Sequence, residues 1–368
     1  MSKKKICCFC DRWASGGIEV FLHNLLQQAD MTKLEVDVVA ASLEKNQLSE
    51  QLRAKGVNFI QLSGSLRNIM GNHRKFRQLL RQRQYDVVHL NLYQGLSLSY
   101  GRIARQEGVP VRIAHSHNTA LRDCPTKALK LLLHRFGRRC FTKDATALWA
   151  GSEAAADFLF DRREFTWVPN GIDTRRFRFD PAVREALRQK MGLTDCLVLG
   201  NVGRLCAQKN QTFLLEIFAQ LMQMRPDSRL LLVGDGEDRK KLERRAGALG
   251  ISGQVIFRGH AQQVEQLLWV MDVFLMPSLF EGLPLAAIEA QAAGLPVLCA
   301  RCLSPEIKMT EHLDVLPVDI GSKPWADRVL ELISREIHRE QAFAAVRSAG
   351  FDTVTVAQQI MEFYLGED

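Results

Sequence analysis

The feature that most constrains this chain is an alternation. Short apolar, β-branched runs recur at intervals, and the segments between them have helical length and periodicity. Candidate strands are Lys5–Cys10, Leu34–Ala41, Asn58–Leu62, Val87–Asn91, Val111–His115, Thr146–Ala150 and Thr166–Val168. In Ile18–Gln28, between the first two, Val20, Phe21, Leu22, Leu25 and Leu26 are expected along one side of a helix. Such β-α-β alternation predicts a parallel sheet covered by helices. It breaks once, at Pro169-Asn170-Gly171-Ile172-Asp173 followed by Pro181, a turn-rich stretch without periodicity. It then resumes with Cys196–Val202, Arg229–Val233, Gln254–Phe257, Val273–Met276 and Pro296–Ala300 as strands, and Lys209–Met224 and Pro284–Ala293 among the helices. The expectation is an α/β chain of two doubly wound domains, residues 1–171 and 172–352, with ligands at the carboxyl ends of the strands and a cleft between the halves.

The length of 368 residues suits two domains, each able to bury its own core. No run approaches the ~20 apolar residues of a membrane span. The opening Met-Ser-Lys-Lys-Lys-Ile-Cys-Cys-Phe-Cys is basic, but its apolar run is short and Asp11-Arg12 follows at once. It reads as a first strand, and the expected location is the cytoplasm. An odd count of 9 cysteines fits reduced thiols. Two Cys-x-x-Cys pairs, Cys7/Cys10 and Cys299/Cys302, have zinc-site spacing, but in apolar strands cysteine behaves as a small hydrophobe, so no metal is expected there.

The net charge of +8 favours anionic partners. Two stretches hold much of it. Arg67, Arg74, Lys75, Arg77, Arg81 and Arg83 accompany Phe76, Leu79 and Leu80. Lys127, Lys130, Arg135, Arg138, Arg139 and Lys143 accompany Leu129, Leu132 and Leu133. Both read as amphipathic helices with a cationic outer face, either a solvated surface or a dock for anionic lipid. Few aromatics are interleaved, and no RNA-binding signature is present, so nucleic acid is not an expected partner.

Four motifs carry chemistry. Ala14-Ser15-Gly16-Gly17-Ile18-Glu19 follows the first strand and opens a helix, where glycines permit close approach of a phosphate or sugar. It lacks the Gly-x-Gly-x-x-Gly pattern of nicotinamide sites. In Gly203-Arg204-Leu205-Cys206-Ala207-Gln208-Lys209-Asn210, two cations five residues apart can converge on one diphosphate. Cations at a helix start oppose its dipole, a conflict that a bound anion relieves. In Pro277-Ser278-Leu279-Phe280-Glu281-Gly282-Leu283-Pro284-Leu285, Pro284 fits the first helical position and Gly294 the cap. That puts Glu281 on the loop and Glu289 on the helix, suited to different hydroxyls of one extended ligand rather than to a glycosidase carboxylate pair. Finally, His115-Ser116-His117-Asn118 lies past a strand end and could present one imidazole to a sugar hydroxyl.

Together with Val233-Gly234-Asp235-Gly236 and Val168-Pro169-Asn170-Gly171-Ile172-Asp173, these segments resemble family 4 of the retaining glycosyltransferases, which have the two-domain GT-B fold. The likeness spans nearly the whole chain, and it is strongest to transferases of bacterial capsule, exopolysaccharide and O-antigen assembly. The resemblance implies a nucleotide-diphosphate sugar as donor, with uracil as the base by family habit, and a glycan or lipid-linked acceptor. It implies that Arg204 and Lys209 hold the diphosphate, Glu281 binds the transferred sugar, and Glu289 binds ribose. Gly282, Leu283 and Leu285 would border the nucleotide, and backbone near Arg258 would meet the base. His117, or alternatively His115, would line the sugar site, with Gly16 and Gly17 on the opposite wall. The C-terminal helix, about Thr353–Leu365, would cross back to the first domain. There is no Asp-x-Asp, so no essential divalent metal and no other cofactor is expected. A nucleotide-sugar epimerase of the same fold is the competing reading. A phosphorylase-like enzyme would need a longer chain and a pyridoxal-lysine motif, neither of which is found.

Overall fold

The computed structural model describes residues 3–14, 16–66, 68–121, 127–281, 283–301 and 307–367. Two compact units emerge: residues 1–171 with 353–368, and residues 172–352.

The first unit holds a seven-stranded sheet of β1 (Lys4–Trp13), β2 (Leu34–Leu43), β3 (Asn58–Gln61), β4 (Val87–Leu92), β5 (Val111–Ser116), β6 (Ala147–Ala150) and β7 (Thr166–Trp167). Its order is β3-β2-β1-β4-β5-β6-β7, and every pairing is parallel. Helices α1 (Gly17–Gln28), α2 (Gln47–Ala54), α3 (Ile69–Arg83), α4 (Ser99–Gln106), α5 (Lys127–Phe141) and α6 (Glu153–Phe160) connect the strands. Strand β1 explains the layering. Both its faces are covered, so it reads as a continuous apolar run. Ile6, Cys8 and Cys10 face a core shared with α1 and the C-terminal helix, while Cys7 and Phe9 face the core that holds Phe76 and Leu80 of α3. Cys7 and Cys10 therefore sit on opposite sides of the sheet and cannot share a metal ion. Cys299 is buried, and Cys302 lies outside the described residues.

The second unit repeats the plan with six strands: β8 (Leu197–Val202), β9 (Ser228–Val233), β10 (Val255–Gly259), β11 (Val273–Met276), β12 (Val297–Ala300) and β13 (Leu313–Leu316), ordered β10-β9-β8-β11-β12-β13. Its helices are α7 (Pro181–Met191), α8 (Gln211–Met224), α9 (Arg239–Ala248), α10 (Val264–Val270), α11 (Leu285–Ala292), α12 (Ser322–Ile333) and α13 (Ala342–Val346). The final helix, α14 (Thr353–Leu365), belongs to the first unit, where Val356, Ala357, Ile360 and Tyr364 enter the core beside α1.

Several local expectations are corrected. Val20 is 37% exposed, and Ile18 takes its place on the buried stripe of α1. Helix α8 starts at Gln211 rather than Lys209, because Asn210 adopts a left-handed conformation (φ 54°) that a helix cannot contain. Pro284 caps α11 rather than occupying its first turn, while Gly294 (φ 70°) ends the helix and the Leu295 N–H closes back on the Ala290 carbonyl at 3.0 Å. Strand β13 was not foreseen. It is a four-residue edge strand whose Asp314 is held by Arg335 (2.8 Å), and a charge on an edge guards it against further pairing.

The two basic helices differ from each other. In α3, Phe76 and Leu80 are buried beneath the cations. In α5, Leu129, Leu132 and Leu133 are exposed.

Candidate active site

Both sheets reverse strand order once, between β1 and β4 and between β8 and β11. At such a switch point the connections leave in opposite directions, and a crevice opens at the carboxyl ends of the two central strands. Arg204, Lys209, Glu281, Leu283 and Leu285 lie on the loops and helix start that follow β8 and β11, and Gly16 and Gly17 follow β1, so each switch point is a candidate site in its own unit; His117 follows the neighbouring β5, Arg258 lies in β10 and Glu289 within α11.

In the second unit, the loop after β8 and the loop after β11 are joined by hydrogen bonds. The Leu279 N–H donates to the Gln208 carbonyl (2.9 Å), Gln208 Nε2 to the Phe280 carbonyl (2.9 Å), and Asn210 Nδ2 to the Pro277 carbonyl (3.1 Å). This lacing sets Lys209 Nζ 2.7 Å from Glu281 Oε1, with side chains only 18% and 8% exposed. Arg204 points elsewhere, onto Glu237 at 3.0 Å, and both of those side chains are more than half exposed. An exposed pair of that kind is worth about 0–1 kcal/mol, so Arg204 is easily released to an incoming anion. The conflict between these cations and the start of α8 is thus met by carboxylates, Glu281 and Glu237. The glycine of Val233-Gly234 is required by contact. A Cβ on Gly234 would lie 2.1 Å from the Gly203 carbonyl oxygen, so the third loop packs backbone to backbone against the first.

Glu289, on α11, is partly exposed. Burial pushes its carboxyl up to about 7, Glu265 adds to the rise, and Arg176 opposes it. Arg176 itself pairs with Glu265 at 2.7 Å. The group therefore holds two carboxylates and one guanidinium, and Glu289 takes up a proton near neutrality. Arg258 is exposed, at the register shift between Phe257 and Gly259 that ends the β9–β10 ladder. Leu283 and Leu285 pack against the unit's core at the mouth of α11, which opens without a side-chain cap. Gly282 lies outside the described residues.

In the first unit, the two histidines separate clearly. His115 is fully buried, its ring stacked near His89 with centroids 5.3 Å apart. One consistent set of neutral tautomers satisfies the chain. The Tyr364 hydroxyl donates to His89 Nδ1, His89 Nε2–H to His115 Nδ1 (3.1 Å), and His115 Nε2–H to the Val168 carbonyl (3.2 Å). Burial holds His89 down at about 3 and drives His115 well below the ordinary range. His117, two residues on, is partly exposed and lies between the amides of Asn170 (3.2 Å) and Asn91 (2.9 Å). Burial lowers its pKa to about 4, so at neutral pH it is an uncharged hydrogen-bonding group.

Gly16 and Gly17 open α1, but the space beside Gly16 is not empty. A Cβ there would meet the Glu19 carboxylate at 2.7 Å and the Tyr93 hydroxyl at 3.5 Å, whereas one on Gly17 would meet nothing within 4 Å. Glu19 also accepts the Ala14 N–H at 3.0 Å, so the positive end of α1 already has its anion. Asp11, at the end of β1, accepts the Ser97 hydroxyl at 2.8 Å, and burial pushes its carboxyl up to about 6. Asn91, Asn170, Tyr93, Asp11 and Arg176 had not been singled out from the sequence. The available signal was polarity in the wrong place: His89 and Asn91 interrupt an apolar strand that is buried throughout.

Comparison with known proteins identifies the family and the fold. Residues 15–176 match the model of Glycosyltransferase Family 4, and residues 183–347 match Glycosyl transferases group 1. A putative glycosyltransferase EpsF of Bacillus subtilis is 30% identical, over 83% of this chain and 81% of the relative. An Escherichia coli UDP-Gal:alpha-D-GlcNAc-diphosphoundecaprenol alpha-1,3-galactosyltransferase is 28% identical, over 78% and 77%. Among solved structures, Anabaena Alr3699/HepE in complex with UDP superposes with a TM-score of 0.79 at 21% identity, covering 99% of this chain and 100% of the other. WaaG, a glycosyltransferase of lipopolysaccharide biosynthesis, superposes with a TM-score of 0.73 at 20% identity, covering 98% and 100%. With two parallel-sheet units of the GT-B fold and matches to both family models, this chain belongs to the family 4, group 1 glycosyltransferases and is a sugar-transferring enzyme.

Proposed function

We propose that the enzyme moves a hexose-type sugar, with retention of anomeric configuration, from a UDP-sugar to a glycan or lipid-linked acceptor in cell-surface polysaccharide assembly. The observation that carries this reading is the Lys209–Glu281 pair at the β8/β11 switch point, a cation and a carboxylate held together where a sugar diphosphate would lie. Lys209 and Arg204 neutralise the charge that grows on the departing diphosphate. Glu281 accepts hydrogen bonds from the transferred sugar, Glu289 accepts those of the ribose, and backbone at Arg258 meets the base. Gly282, Leu283 and Leu285 border the nucleotide. In the first unit, neutral His117 hydrogen-bonds a sugar hydroxyl, and Gly16 and Gly17 approach the sugar. The Glu19 carboxylate beside them makes that position a poor one for phosphate. The acceptor hydroxyl attacks the anomeric carbon on the face the diphosphate leaves. The C–O bond to the diphosphate breaks, and a phosphate oxygen takes the acceptor's proton.

A uracil base is supported by the UDP and UDP-glucose named in the HepE complexes and by the UDP-Gal donor of the E. coli relative. Other relatives are named as GDP-mannose-dependent. A lipid-linked acceptor is supported by the diphosphoundecaprenol in the E. coli relative's name. We place the reaction at the cytoplasmic face of an anionic inner membrane, with peripheral attachment; no helix among the described residues is long and apolar enough to cross a bilayer. We propose that catalysis requires no divalent metal, a reading that rests on the lack of an Asp-x-Asp motif in the sequence.

The test is a transfer assay with UDP-glucose, UDP-galactose, UDP-N-acetylglucosamine and GDP-mannose, with and without a polyprenyl-diphosphate-linked sugar and with and without EDTA. Acceptor-dependent release of UDP, an axial product linkage by NMR and indifference to EDTA are expected. Acceptor-independent conversion of the donor to its epimer would instead identify an epimerase.

A further inference from the structure

We propose that α5 is a membrane-docking helix whose outward apolar face enters the acyl boundary of an anionic phospholipid bilayer. This deepens the peripheral-membrane part of the function proposed above and rests on that part alone.

The geometry of α5 is unusual. It is fastened to the first unit through a narrow stripe. The Gly95 N–H donates to His134 Nδ1 (2.9 Å), and His134 Nε2–H donates to the Phe158 carbonyl (2.9 Å). One turn on, Gly137 lies so close to Gly95 that a Cβ would fall 2.2 Å from the Gly95 carbonyl oxygen. His134 and Gly137 are the buried positions of the helix. With that stripe inside, Leu129, Leu132 and Phe136, spaced to share one helix face, point to solvent with exposures of 57%, 64% and 54%. Leu131 and Leu133 flank them at 36% and 37%. Loose docking does not explain the exposure, because the two-glycine contact fixes which side is buried. A contiguous apolar face of this kind marks a contact surface.

Charge identifies the occupant. Lys127–Phe141 contains five basic residues and no acid; of these Arg138 is paired with Asp161 at 2.9 Å, and Lys130, Arg135 and Arg139 are exposed. At its carboxyl end, Arg102 and Arg105 share the single carboxylate of Asp144 (3.1 and 2.8 Å), and both line an open hollow with Lys143, leaving that end net positive. A second copy of the same face would bring like charges together. An anionic bilayer offers hydrocarbon for the leucines and phosphates for the lysines and arginines, the arrangement of an interfacial helix. Helix α3, equally basic in sequence, exposes Ile69 and Met70 in its first turn (41% and 83%) but does not carry an apolar face outward along its length. Arg77 and Arg81 are spent on Glu107 (3.1 and 2.7 Å), Arg83 on Glu35 (3.3 Å), and Phe76 and Leu80 are buried.

The experiment is co-sedimentation of the full chain with vesicles of phosphatidylcholine alone or mixed with phosphatidylglycerol. The variants are Leu132→Ser/Phe136→Ser, Lys130→Gln/Arg135→Gln, and Arg74→Gln on α3 as control. Thermal unfolding and UDP binding are followed in parallel to read folding and the donor site separately. Wild type is expected to bind anionic vesicles at least about 10-fold more strongly than neutral ones. Each α5 double variant should lose about 10-fold, with folding and UDP binding intact, while Arg74→Gln behaves as wild type. Unchanged vesicle binding by Leu132→Ser/Phe136→Ser, or equal binding of wild type to both vesicle types, would overturn the proposal. So would a wild-type dimer that this variant converts to monomer while wild type ignores vesicles, since the face would then belong to a second copy.

Discussion

Where β8 and β11 part, the side chains are ions in pairs: Lys209 with Glu281, Arg204 with Glu237, Arg176 with Glu265. Where β1 and β4 part, in a sheet of equivalent order, the central group is an imidazole between two amides. Among the described residues, the nearby carboxyls Glu19 and Asp11 enter no ion pair. One end supplies cations beside a carboxylate, which suits a diphosphate with a sugar attached. The other supplies uncharged donors and acceptors beside unbalanced carboxyls, which suits hydroxyls and repels phosphate. The difference lies in the side chains carried at the strand ends and on the loops and helices that follow them. Two copies of one topology thus acquire opposite chemistries without any change in the sheet beneath.

The comparison can be broken most sharply at Lys209. Lys209→Ala removes the partly buried cation and leaves Glu281 without its ion-pair partner, and kcat/KM is expected to fall about 10²–10³-fold. Normal turnover by this variant would mean that the ion pair is structural only. The next effect separates two neighbouring histidines. His115→Ala opens a cavity and orphans His89, so it should cost about 2–4 kcal/mol in denaturant unfolding while the folded fraction keeps its activity. His117→Ala should do the reverse. Its thermal unfolding stays near wild type, kcat/KM falls about 10–100-fold, and UDP affinity is unchanged. Loss of UDP affinity in His117→Ala would erase the division of labour between the two ends.

The smallest expected effect is on pH dependence. Glu289 rises from an ordinary 4.5 to about 7 on folding. The free folded chain therefore holds this proton more tightly than the unfolded chain does. Its stabilising contribution is full below about 4.5 and is lost as pH climbs through about 7. Ribose hydroxyls donating to the carboxylate favour the ionised form, so UDP affinity should rise a few-fold between about pH 6 and 8. Titration calorimetry across that range should show a steeper slope in wild type than in Glu289→Gln, which keeps only the titration of the terminal phosphate of UDP.

Much of this was legible in the sequence because the alternation of strand and helix is a strong periodic signal. Twelve of the strands follow it within a residue or a few at their ends. Strand β13 was hidden because four residues containing an aspartate carry no period. The helix boundary at Asn210 had one trace, the preference of asparagine for the left-handed region, which does not by itself end a helix. Residue identities at the site were readable from Arg204, Lys209, Glu281 and Glu289, but their pairings were not. Nothing in the spacing says that Lys209 reaches Glu281 while Arg204 turns to Glu237, since that depends on how two distant loops are laced. Likewise, periodicity described α5 as amphipathic but could not say which face is buried. Gly95, about forty residues upstream, decides it.

The most direct test of the account is calorimetric titration of UDP into wild type, Lys209→Ala and His117→Ala at one pH. The account predicts saturable binding to wild type, none measurable to Lys209→Ala, and wild-type affinity in His117→Ala. Equal affinity of Lys209→Ala and wild type would contradict it, because the diphosphate would then be held somewhere other than the β8/β11 switch point.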